Sequence, residues 1–157
     1  MYDVVSKNHA VSTILWICGE NLQVDIINEK LGFSDSIVTL KGQRPMSLPA
    51  QGDRPVDGEQ RLFDSRLDLD LWSRSLTSKQ SRWNVERQLE FWIQSLYPVR
   101  SAFQEFKDMG YWSVIDCQIA STDRQLPSIQ FRLTKEMQLK LSKLCLDLDF
   151  TIYRPTS

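Results

Sequence analysis

The sequence is poor in the residues that most site chemistry needs. It holds one histidine, His9, and three cysteines, Cys18, Cys117 and Cys145. With no Cys-x-x-Cys and no His-x-x-x-His, the usual zinc site cannot be assembled from local motifs. A Ser-His-Asp or Cys-His centre would have to recruit His9 from an expected loose terminus, and nothing in the sequence favours that. The cysteines are odd in number and lie in apolar surroundings. They read as reduced, buried thiols of a cytosolic protein, because free cysteine packs as a small hydrophobe and disulfides belong to oxidising compartments. The reading assigns no catalytic residue, no metal ligand and no cofactor.

Charge of one sign is missing too. Nineteen basic residues face 20 acidic ones, for a net charge of −1. That balance argues against a dedicated nucleic-acid binder, whose affinity rests on neutralising phosphates. The longest apolar run, Ile14 to Cys18, falls far short of the roughly 20 residues that cross a bilayer. Met1-Tyr2-Asp3 opens no basic-then-apolar signal, so the expected place is the cytoplasm, with no membrane partner. Gly42, Gly52 and Gly58 are too scattered to cradle a phosphate.

What is present is ordinary globular material: 157 residues, 41 % of them hydrophobic and 25 % charged. This predicts a single domain over 1–157, with its core in 10–153. Val11 to Cys18 is apolar on both alternating faces, the mark of a strand covered on both sides. A turn at Gly19-Glu20-Asn21 leads to a helix from about Gln23 to Leu31, closed by Gly32. Ile37 to Leu40 reads as a short strand. Residues 42–61, with three prolines and three glycines, form a long surface loop. Arg66 to Ser75 alternates as a strand, with Leu67, Leu69 and Leu71 on one face and Asp68, Asp70 and Trp72 on the other. Trp72 then sits among charges unless a bulge turns it inward.

The longest helical pattern follows. Val85, Leu89, Trp92, Ile93 and Leu96 share one face, and Val99, Phe103 and Phe106 extend it. Asn84 is the expected N-cap. Pro98 lacks an N–H and predicts a break near Tyr97, with Gly110 closing the second piece. Tyr111 to Ile119 reads as a strand, as does Ser128 to Leu133. Thr134 caps a helix carrying Met137, Leu141 and Leu144. Leu146 to Tyr153 is the last strand, with Leu146, Leu148, Phe150 and Ile152 inward. The expected fold is α+β: an antiparallel or mixed sheet of about five to six strands with helices mainly on one face. A faint echo between Ile14–Leu31 and Ile129–Leu144 points to ferredoxin-like halves.

Several of these features occur together in a known order. Gly19, Leu22, Ile27, Leu31 and Gly32 follow an apolar strand. Trp72 lies on a strand; Leu89, Trp92, Ile93, Leu96 and Pro98 make a helix running into a proline; Gly110-Tyr111 opens the next strand; Leu146 to Tyr153 closes the chain. Together, over roughly Ser12 to Tyr153, this resembles the bacterial family catalogued as domain of unknown function 4279. The chain departs from the family pattern after Leu22, where Gln23-Val24 replaces a common Asp-Pro pair. Its 42–61 loop is also longer than usual. The resemblance implies one compact domain and brings no established catalytic residues. Family members encoded beside toxin genes imply an immunity role.

Two carboxylate pairs stand out, Asp68 with Asp70 and Asp147 with Asp149. Residues two apart on a strand point the same way. If the two strands were neighbours, four carboxylates could gather around a hard cation. Alternation alone also explains them, as the solvated face of a Leu-rich sheet. Of the five tryptophans, Trp16 and Trp92 read as core. Trp72, Trp83 and Trp112, with Arg74 and Arg82 nearby in sequence, suit either partial burial or a partner surface. The preferred reading is a non-catalytic cytoplasmic binding protein whose partner is another protein. It is an immunity protein that neutralises a toxin, through Asp68, Asp70, Trp72, Arg74, Asp147 and Asp149. The alternatives are a small-molecule or divalent-metal module, with or without enzyme activity, and a structural subunit of a homo-oligomer that uses an open sheet edge.

Overall fold

In a computed structural model, residues 9–40, 69–121 and 131–153 are described. The 42–61 loop, Asp68 and the Ser128–Gln130 part of an expected strand lie outside them. Strand β1 (His9–Gly19) is followed by helix α1 (Val24–Leu31) and strands β2 (Ile37–Thr39) and β3 (Asp70–Ser75). Helices α2 (Val85–Leu96) and α3 (Arg100–Asp108) come next, then β4 (Trp112–Ser121), α4 (Lys135–Ser142) and β5 (Asp147–Tyr153).

These strands form one mixed sheet in the order β2-β3-β1-β4-β5. The first four pair antiparallel with one another, and β5 runs parallel to β4. The fold is therefore α+β, and its first four strands have the order of a split β-α-β unit of ferredoxin-like type. The second half of that unit is β3-α2-α3-β4, not the Ile129–Leu144 stretch that the echo singled out. Phe131 to Thr134 is irregular, so the expected 128–133 strand has no counterpart among the described residues. No described helix is long and apolar enough to cross a membrane.

Local chemistry fixes the helix ends. The N-cap Asn84 accepts a hydrogen bond from the Arg87 N–H at 2.9 Å, and Thr134 does the same for Met137 at 3.1 Å. Gly32 has φ +72° and Gly110 φ +82°, left-handed geometry that glycine adopts without a Cβ penalty. At Pro98 the helix breaks as expected: α2 stops at Leu96, a 3-10 turn spans Tyr97–Val99, and α3 starts at Arg100.

The helices pack on one face of the sheet. There Leu15, Ile17, Trp72, Ile115, Cys117 and Ile119 meet Ile27, Leu89, Trp92, Ile93, Phe103, Phe106 and Met137. The opposite face carries a second apolar cluster of Ile14, Trp16, Cys18, Leu71 and Val114. Both faces of central strand β1 are thus buried, as its continuous apolar run requires. A polar joint crosses the main core. Thr13 Oγ1 donates to Gln88 Oε1 at 2.9 Å and accepts from the Trp92 indole N–H at 2.9 Å. The Gln88 amide donates to the carbonyls of Val11 (3.2 Å) and Trp83 (2.8 Å). Gln88, wholly buried, is paired at both ends of its amide, which removes the cost of an unpaired buried amide.

Candidate functional site

Strand β3 carries three of the residues expected to meet a partner, and it turns all three toward the helix-bearing face. At its start, Asp70 Oδ2 accepts the Leu22 N–H at 3.2 Å and so holds the β1–α1 turn. In the middle, Trp72 is completely buried. Its indole N–H donates to Asn28 Oδ1 of α1 at 2.8 Å, and its ring stacks on Phe33 with centroids 6.1 Å apart. Trp72 is therefore a core residue, not a ring offered to a partner. β3 lies between β2 and β1, and both of its faces are covered, whichever one the leucines mark.

The far end of β3 reaches the surface. The Arg74 guanidinium lies 3.8 Å from the centroid of Phe33, a cation–π contact. Its Nε donates to Asp35 Oδ1 at 2.9 Å. That hydrogen bond holds the Asp35 carboxyl below its ordinary value; the coulombic pull of Arg74 adds to it and burial opposes it. Ser36 Oγ also donates to Asn28 Oδ1, at 3.0 Å. Arg74, Phe33, Trp72 and Asn28 thus form one stack that runs from solvent into the core and fixes the segment between α1 and β2.

Beside this stack lies β2, at one end of the described sheet. Ile37 is 44 % exposed, Val38 39 % and Leu40 57 %. Val38 pairs with Trp72 and so shares the face of Arg74, whereas Ile37 pairs with Ser73 on the opposite face. An edge strand presents backbone N–H and C=O groups on its outer side, and apolar side chains on both faces make it adhesive. The stack and this rim together are the candidate interface.

The other expected residues are placed elsewhere. Asp147 Oδ2 accepts the Trp112 indole N–H at 2.6 Å at the surface. Asp149 stands beside Asp116 in the β4–β5 register. Strands β3 and β5 are separated by β1 and β4. At about 4.8 Å per strand this sets Asp70 some 14 Å or more from the β5 carboxylates. The gathering of four carboxylates is thereby overturned, and among the described residues no group of three His, Cys, Asp or Glu side chains lies placed for a metal.

Cys18 and Cys117 are buried and Cys145 is half-buried, and none of the three is in a disulfide. Burial, with Asp116 and Asp149 adding to it, pushes the Cys117 thiol well above its ordinary value, so it stays protonated and inert.

The sequence reading missed Phe33, Asp35 and Val38. Arg74 stands out in the sequence for its neighbours there, but the side chains closest to its guanidinium, Phe33 and Asp35, come from before β2, the latter 39 residues away. The only local trace was the β-branched pair Ile37-Val38. A second cluster surrounds Gly19. A Cβ on Gly19 would lie 2.5 Å from Tyr111 Cδ1. The Tyr111 hydroxyl accepts the Gln23 N–H at 3.1 Å and donates to the Asn21 carbonyl at 3.4 Å. Asn21 takes a left-handed backbone, φ +54°.

A family model described as Domain of unknown function (DUF4279) matches residues 9–155, nearly the whole chain. No curated protein and no solved structure matches.

Proposed function

The chain belongs to the DUF4279 family, and from that premise we propose that it is a non-catalytic binding protein of the bacterial cytoplasm. Its partner is another protein, which docks at the β2 rim. The observation that carries this reading is the exposed apolar pair Ile37 and Val38 on β2, an edge among the described strands, with exposed Leu40 just after it and the Arg74–Asp35 pair beside it. Interfaces concentrate aromatic, aliphatic and Arg side chains of this kind, and a strand of the partner can add to a sheet edge through main-chain hydrogen bonds. Phe33 and Trp72 beneath Arg74 pre-organise it, which lowers the entropic cost of binding.

The finer reading is an immunity role, in which the partner is a toxic enzyme and the chain blocks it. Its support is the family resemblance, since some members of that family are encoded near toxin genes. Capture of the tagged chain from its host's lysate, in parallel with Val38→Glu and Arg74→Glu, tests the binding role. The wild type should retain one stoichiometric protein. Each substitution should weaken binding by tenfold or more, about 1.4 kcal/mol, while the circular dichroism stays unchanged. Retention of the same protein by both variants would remove the β2 rim from the account. An immunity role further requires that co-expression of the chain rescues cells from the captured protein.

A further inference from the structure

The opposite end of the described sheet is a second edge, independent of the β2 rim. Strand β5 has β4 as its neighbour and no other among the described strands. It runs Asp147-Leu-Asp-Phe-Thr-Ile-Tyr153. Leu148 packs against the main core, but Phe150 is 39 % exposed and Ile152 53 %. The expectation that both lie inward is corrected here, since the core ends before the outer half of this strand. Phe131 stacks on Phe150 with ring centroids 4.9 Å apart, which widens the apolar shelf.

We propose that β5 pairs antiparallel with β5 of a second copy of this chain, about a two-fold axis through Phe150, so that two five-stranded sheets become one of ten. The strand is self-complementary in that register and in no other. Phe150 stands opposite itself, Leu148 opposite Ile152, Asp149 opposite Thr151, and Asp147 opposite Tyr153. All seven residues pair, apolar meets apolar on the helix-bearing face, and neither aspartate meets an aspartate. Moving the axis to Asp149 would set two carboxylates directly opposite, which is destabilising. Moving it to Thr151 leaves Asp147 and Leu148 outside the pairing. A half-step slip sets Leu148 against Thr151 and brings the two copies' helices to opposite sides. An isologous contact of this kind closes at two copies and does not propagate.

Sedimentation equilibrium of the full chain tests the proposal. The mass should be twice 18.3 kDa. Phe150→Lys sets two ammonium groups together at the axis and should weaken the dimer at least tenfold. Thr151→Lys sets a lysine opposite Asp149 in both halves and should strengthen it. Val38→Glu, at the other edge, should leave the mass unchanged, so the dimer and the partner site succeed or fail separately. A monomeric wild type across the concentration range would overturn the proposal. So would a dimer that ignores both β5 substitutions. If Phe150→Lys fails to fold, the Thr151→Lys result alone decides, and weakening or no change there counts against the register.

Discussion

At the scale of single residues, the most constrained position is Gly19. The Tyr111 ring beside it cannot step aside, because its hydroxyl is held by the Gln23 N–H and the Asn21 carbonyl and its ring lies against Phe106. Gly19→Ala therefore forces strand β1 and the ring apart and should cost about 1–3 kcal/mol, the usual range for overpacking. Urea unfolding measures it directly; a loss below a few tenths would mean that the ring yields. Asp35 offers a second test. Its folded-state value is lowered by Arg74. The contribution of the pair is thus present above the ordinary carboxylate value of 3.8 and is lost as the pH falls through the lowered one. A carbon-detected NMR titration should find Asp35 below 3.8 in the wild type and back at its ordinary value in Arg74→Ala. No difference between the two would dissolve the pair as a feature in solution.

Elements were legible in the sequence where their signals are local. Asn84, Thr134, Gly32 and Pro98 each act within a turn of the backbone they shape, and each does in the structure what its chemistry predicts. Asn84→Ala and Thr134→Ala should each destabilise by about 0.5–2 kcal/mol, and serine at either position should restore most of it. Thermal unfolding of the four variants checks this; equal stability of the alanine and serine forms would contradict the caps. Strand faces were less legible. A period of two shows which residues share a face, but not which face is covered, and β3 is covered on both, so its leucines misdirect the eye from Trp72. Phe131-Arg132-Leu133 alternates as well as any strand, yet it takes no place in the ladder; its main chain meets side chains instead, the Arg132 N–H donating to Glu86 on α2 and the Leu133 carbonyl accepting from the Gln138 amide on α4. Gln88 looks like a polar interruption in a helix face. Only the approach of Thr13, 75 positions away, shows that it is a core joint.

For the whole molecule, strand order decided what the carboxylates could do. The two aspartate pairs are alike in sequence, and nothing local tells that β1 and β4 stand between them. The same order leaves β2 and β5 at opposite ends, one rim beside a charged aromatic stack and the other self-complementary. The candidate interface was accordingly half visible: Arg74 stood out among its neighbours, whereas Phe33 and Asp35 reach it only through the fold. The central claim is that a protein partner binds at β2. Amide hydrogen exchange of the chain, free and bound to its captured partner, tests it most directly. The account predicts slowed exchange from Asp35 to Leu40 and at Arg74, with Asp147 to Tyr153 unchanged on binding. Protection confined to β5 or to the helices, with β2 exchanging as in the free chain, would contradict it.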